Sequence, residues 1–185
     1  MNLIEKHDRS TPEDQMQEYV ARYFDGYKWT PAVQSWKMVV PISKTFREVR
    51  IPDIGRISDV IVYVTPRKVI NIECKTNDVP GVIEQAKDHL KWADYSYICL
   101  HALTYIAPKY IQDMVDLGIG LMLYQDDFCG NRPEFLADVI GARHNTKKRG
   151  KDPELRKRVN EILKKRAAIR TAENHEQIKM EINEL

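Results

Sequence analysis

Glu73 and Lys75 stand two residues apart in INIECKTND, residues 70–78, at the end of an apolar run that includes Val69, Ile70 and Ile72. Side chains on a strand alternate with period two, so this carboxylate and this ammonium share one face. A carboxylate can hold a hard cation or take a proton. An ammonium can orient or deprotonate a water, or stabilise negative charge developing on a phosphate. An exposed ion pair contributes little to stability and would not need an apolar strand around it.

The segment before it supplies a second acid. GRISDVIVYV (55–64) and KVINIECK (68–75) are both β-prone, and Thr65-Pro66-Arg67 between them is a turn signal. A three-residue turn, or an equivalent bulge, collects Val60, Val62, Val64, Ile70, Ile72 and Cys74 on one face. A one-residue slip would put charge into that face, so the apolar set selects the register. The same register places Asp59 directly across from Glu73. Opposed Cβ atoms are about 4.5–5.5 Å apart. Two carboxylates that close repel, and a magnesium ion between them removes the conflict while keeping waters for chemistry.

The elements that must position these residues follow along the chain. STPEDQMQEYVARYF predicts a first helix, with Thr11 and Asp14 at capping-box spacing, Pro12 at the first position, and Met16, Val20, Tyr23 and Phe24 as its apolar stripe. WKMVVPI and FREVRI are β-prone pieces around Pro41. After the hairpin come a helix over VPGVIEQAKDHLKWAD with Val82, Ile83, Ala86, Leu90 and Ala93 inward, the strand YSYICL, the helix APKYIQDMVDLG, and the strand GIGLMLYQ. The expectation is an α/β core with a central mixed β-sheet flanked by helices.

The acid–acid–lysine set on this hairpin resembles the PD-(D/E)XK nuclease superfamily, whose pattern is an acid on one strand and Glu-x-Lys on the next. Here these are Asp59 in RISDVIVYV and Glu73-Cys74-Lys75. The order of elements over roughly residues 10–125 is similar to that family as well. Ser58, not proline, precedes Asp59; an Ile-Pro-Asp does occur at 51–53, but Asp59 lies in the strand and fits the register. The resemblance implies a restriction-endonuclease-like core and magnesium-dependent cleavage of DNA, with manganese as a substitute ion. It implies Asp59 and Glu73 as metal ligands, Lys75 as the residue that orients or activates water, and Gln85 of EQAKDHL as a supporting site residue. It also implies a further metal ligand from the first helix, for which Glu13 is the candidate and Glu18 the fallback. The alternative is a non-cleaving nucleic-acid-binding subunit of a DNA-processing complex.

Charge divides the chain at about residue 141. Residues 1–141 carry 16 Lys and Arg against 20 Asp and Glu; residues 142–185 carry 13 against 7. The expected organisation is a nuclease-like domain over 1–141 and a basic helical extension over 142–185. In that extension Asp152 caps a helix whose stripe is Leu155, Val159, Ile162, Leu163 and Ile169. It suits a polyanion such as DNA, or a homodimer through the stripe. Arg47, Arg50 and Arg56 flank the expected site and suit phosphate contacts. Tyr23, Tyr27, Trp29 and Trp36 cluster early in the chain, with core packing the expected role and base stacking the alternative.

Three widely spaced cysteines, Cys74, Cys99 and Cys129, form no paired-ligand motif, so Cys99, His101, Cys129 and His144 are not expected to bind zinc. A reducing, cytoplasmic setting fits that cysteine usage. No apolar run approaches the roughly 20 residues of a membrane span. The P-loop and nucleophile-elbow patterns are absent.

Overall fold

The computed structural model describes residues 11–26, 43–126, 134–146 and 150–183, of which 174–183 are described by their backbone alone. Among the described residues, four helices flank a six-stranded mixed sheet in an α/β arrangement. The elements are α1 (Pro12–Phe24), β1 (Lys44–Ile51), β2 (Arg56–Thr65), β3 (Lys68–Lys75), α2 (Val79–His89), β4 (Tyr95–His101), α3 (Pro108–Leu117), β5 (Gly120–Gln125), β6 (Phe135–Ile140) and α4 (Pro153–Asn183). The strands lie in chain order across the sheet. The β3–β4 and β4–β5 pairs are parallel and the other three antiparallel.

Local chemistry explains the helix starts. Thr11 Oγ1 accepts from Asp14 N at 3.1 Å, and Asp14 Oδ2 accepts from Thr11 N at 3.0 Å, which completes the capping box. Asp78 caps α2 by accepting from Gly81 N, and Asp152 caps α4 by accepting from Leu155 N. Gly118 ends α3 in the left-handed region that glycine adopts without a Cβ penalty. The α1 stripe differs from expectation at Tyr23, which is 47% exposed; Met16, Val20 and Phe24 are buried with Gln17 and Ala21. β6 was not foreseen. Phe135–Ile140 shows no buried alternation because it is an edge strand. The expected WKMVVPI strand lies outside the described residues, as do Tyr27, Trp29, Trp36 and Cys129.

The hairpin register follows the apolar face. Val60 pairs with Ile72, Ile61 with Asn71, Val62 with Ile70 and Tyr63 with Val69. Thr65 then pairs with Lys68 after an irregularity at Val64, so the turn is Pro66-Arg67 with a bulge in β2. Val60, Val62, Val64, Ile70, Ile72 and Cys74 form one core with Met16, Val20 and Phe24 of α1. The opposite face is covered too: α2 and α3 pack over Ile98, Leu100 and Leu121, and α4 packs over β1–β3.

This last packing bears on the basic extension. Leu155, Val159 and Leu163 are buried in one cluster with Phe46, Ile61, Val69 and Trp92. Asp94, itself buried, accepts from Val69 N at 2.7 Å and from Arg156 Nη2 at 2.5 Å, and also pairs with Lys151. Asn145 N donates to Asp94 O, and Asp152 N to Lys91 O. The division expected at residue 141 therefore runs between surfaces that share a core. A homodimer through the α4 stripe would have to use residues beyond Leu163, such as Ile169, which is 58% exposed.

Candidate active site

β3 is a central strand, and its carboxyl end delivers Glu73 and Lys75 where α1 and α2 both begin. The carboxyl ends of strands are where open α/β sheets commonly bind ligands. Glu73 is only 1% exposed. Its carboxyl is pushed up to about 8, first by burial and then by the nearby charge of Asp59.

Asp59 does not sit squarely across the ladder from Glu73 as the sequence predicts. Pairing of β2 with β3 ends at Val60–Ile72, and the β1–β2 ladder skips the position shared by Glu48 and Asp59. Glu48 has φ of 50°, the left-handed region that a non-glycine residue rarely adopts. Ser58 turns its hydroxyl to Asn71 Oδ1 at 2.5 Å, and Asp59 Oδ2 accepts the backbone N–H of Cys74 at 2.8 Å. Direct opposition of two carboxylates is repulsive, whereas a backbone N–H gives one of them a donor. Asp59 stays close enough that its charge raises Glu73, and it is itself raised. It reaches about 6, chiefly by burial, with the Cys74 N–H opposing and the charge of Glu13 adding.

Lys75 Nζ lies 2.6 Å from Glu13 Oε1 in the first turn of α1. Burial depresses the ammonium, but the Glu13 bond and the charges of Glu13 and Asp59 outweigh it and hold Lys75 above its ordinary value. It is therefore a cation at neutral pH, suited to donating hydrogen bonds rather than to taking a proton. Of the two glutamates considered on α1, Glu13 reaches this group; Glu18 lies 3.8 Å from Arg47 instead. Gln85 of α2 lines the same open cleft as Asp59.

His89 and Trp92 are site neighbours that sequence reasoning missed. Trp92 Nε1–H donates to His89 Nδ1 at 2.9 Å, which leaves Nε2 as the protonated ring nitrogen. That Nε2 is 3.2 Å from Glu73 Oε1, yet neither atom completes a well-formed hydrogen bond among the described residues. Burial lowers the imidazole to about 4, so the ring is neutral. The available signal was position: His89 follows Val82 and Ala86 along the buried stripe of α2. His89→Phe removes the acceptor for a buried indole N–H and should cost about 1–3 kcal/mol in urea unfolding. An unchanged midpoint would mean that this bond does not hold the cluster.

The residues present suit a hard divalent cation. Asp59 and Glu73 are both raised, chiefly by burial, Asp59's charge adds to the shift of Glu73, and Glu73 Oε1 is a buried oxygen without a hydrogen-bond partner among the described residues. All-oxygen donors match magnesium or manganese rather than a soft metal. No three His, Cys, Asp or Glu side chains are gathered as a complete cage among the described residues. Two carboxylates with water and substrate oxygens are a usual magnesium set. Elsewhere, Cys74 and Cys99 are buried free thiols paired in register, His101 bonds Asp126 at 3.2 Å, and His144 packs on Tyr95.

No family model and no curated protein matches the chain. Among solved structures it is similar to a protein of unknown function from Silicibacter pomeroyi, at 18% identity and a TM-score of 0.47, over 70% of this chain and 77% of that one.

Proposed function

We propose that this chain is a magnesium-dependent nuclease that hydrolyses DNA phosphodiester bonds as an endonuclease, on a restriction-endonuclease-like core of the PD-(D/E)XK type. The observation that carries this reading is the meeting of Asp59, Glu73 and Lys75 at one end of the sheet, with Glu13 bonded to the lysine. Asp59 and Glu73 would hold the cation, and Glu13 would join them if Lys75 released it. Bound magnesium supplies charge stabilisation at a phosphoryl oxygen and lowers the pKa of a water.

The chain's own residues do the rest. Lys75, held cationic by Glu13, directs its N–H donors at the attacking water or at a phosphate oxygen as charge grows there. Asp59, raised to about 6 in the metal-free chain, is mostly ionised at neutral pH and so available to the cation. His89, neutral and fixed by Trp92, keeps water away from the rear of Glu73. Gln85 lines the approach to Asp59.

The test is cleavage of plasmid, linear duplex, single-stranded, flap and four-way-junction DNA with magnesium, manganese or EDTA. Lys75→Ala should reduce the metal-dependent rate by about 10²–10⁴-fold with the fold intact. Full activity in that variant would remove the mechanism. DNA binding that ignores magnesium, without cleavage of any substrate, would instead identify the non-cleaving subunit.

A further inference from the structure

An open cleft of about 600 Å³ leads up to Asp59 and Gln85. Its walls include Arg50 of β1, Arg56 of β2 and Arg166 of α4, so the basic helix borders the same space as Asp59 and Glu48. The three guanidinium groups are not equivalent. Arg56 is committed to Asp88 at 2.9 Å. Arg156, Arg158 and Arg170 of α4 are likewise committed, to Asp94, Asp53 and Asp25. Arg166 donates only to a backbone carbonyl, that of Arg47, and Arg50 has no ion pair among the described residues. Both are exposed. Ile57, the partner of Arg50 in the β1–β2 ladder, also lines the cleft and is 47% exposed.

We propose that Arg50 and Arg166 grip the phosphates of a polynucleotide strand beside the one presented to Asp59 and Glu73, with α4 as a wall of the substrate groove. Guanidinium forks match phosphate oxygens in shape and charge, and such contacts set register without reading sequence. Ile57 offers an apolar surface to a sugar or base beside Arg50. The groove thus calls for phosphates in addition to the reacting one, which a mononucleotide does not carry. The proposal rests on the nuclease reading for its reacting phosphate but not for its binding.

The test is fluorescence anisotropy of labelled single-stranded and duplex DNA, with calcium replacing magnesium, across a series of salt concentrations. The variants are Arg50→Gln with Arg166→Gln, beside Lys109→Gln on the exposed surface of α3 as a charge control. Both arginines are exposed, so the melting temperature should not change. The double variant should bind about 10–100-fold more weakly, with the slope of log K against log salt reduced by roughly 1.5–2, while the control matches wild type. Equal affinity and slope in the double variant, or no DNA binding by wild type, would overturn the groove. Cleavage keeps the two readings apart. Glu73-dependent cleavage that is indifferent to the arginines would sink the groove alone. Arginine-dependent binding without cleavage of any substrate would sink the nuclease reading and leave the groove standing.

Discussion

Glu73→Gln should abolish metal-dependent cleavage, by about 10³-fold or more, while making the metal-free protein more stable at pH 8. The two effects share one cause. In the fold the Glu73 carboxyl is raised from 4.5 to about 8, chiefly by burial and then by Asp59, so the native state holds a proton that the unfolded chain has lost. Asp59 shifts in the same direction, from 3.8 to about 6. Where the native state binds more protons, stability falls as pH rises. Glu73 and Asp59 therefore cost the metal-free wild type stability between about pH 4 and about pH 8; His89, lowered from 6.5 to about 4, opposes them below about pH 6.5, so the net loss is concentrated between about pH 6.5 and 8. Glutamine carries no charge to bury and escapes most of that loss. At pH 8 the variant should be the more stable by roughly 2–4 kcal/mol, and at pH 5 the two should be nearly equal. Magnesium should reverse the order at pH 8 by stabilising wild type only. Melting curves at the two pH values, with and without magnesium, check all of this. A metal-free wild type whose melting point rises from pH 5 to pH 8 would refute the account.

Arg156→Met should destabilise the protein by about 3–5 kcal/mol, because it removes one partner from a buried ion pair. Asp94 is buried at the junction of β3, β4 and α4, where it accepts from Val69 N and Arg156. Arg156 also donates to the carbonyls of Trp92 and Pro66, so its loss removes three hydrogen bonds at once, although Asn160 still donates to Pro66 O. Lys151 remains beside Asp94 and limits the damage. Deleting residues 142–185 should be worse: it uncovers Phe46, Val69 and Trp92 by removing Leu155, Val159 and Leu163. Each buried aliphatic side chain contributes about 1.5–3 kcal/mol. Circular dichroism and sizing of the 1–141 fragment decide the matter. A fragment that melts cooperatively within a few degrees of the full chain would show that α4 is an appendage after all.

Much of the positioning frame was legible in local pattern. The capping box at Thr11–Asp14 and the helix start at Asp78 depend on residues three apart, and both formed. The hairpin register followed from six apolar residues at period two, because any slip would have buried charge. β6 escaped because Phe135–Ile140 is a short apolar run broken by Asp138 and without alternation, which does not separate a strand from a helix segment. The α4 stripe was visible, but its destination was not: an amphipathic face shows that something covers it, not which surface does.

The sequence by itself determined which residues share a face of the hairpin, and so that Glu73 and Lys75 emerge together at the end of an apolar strand. That follows from alternation, which is a property of the strand alone. Tertiary structure decided the rest. It moved Asp59 from the ladder onto the Cys74 N–H, brought Glu13 to Lys75 across 62 residues of chain, and set His89 and Trp92 behind Glu73. It also laid α4 along the cleft and so joined Arg166 to the same space as Asp59. These contacts are chosen by packing and by the cost of leaving buried polar groups unpaired. Neither cost can be evaluated until the helices have closed on the sheet.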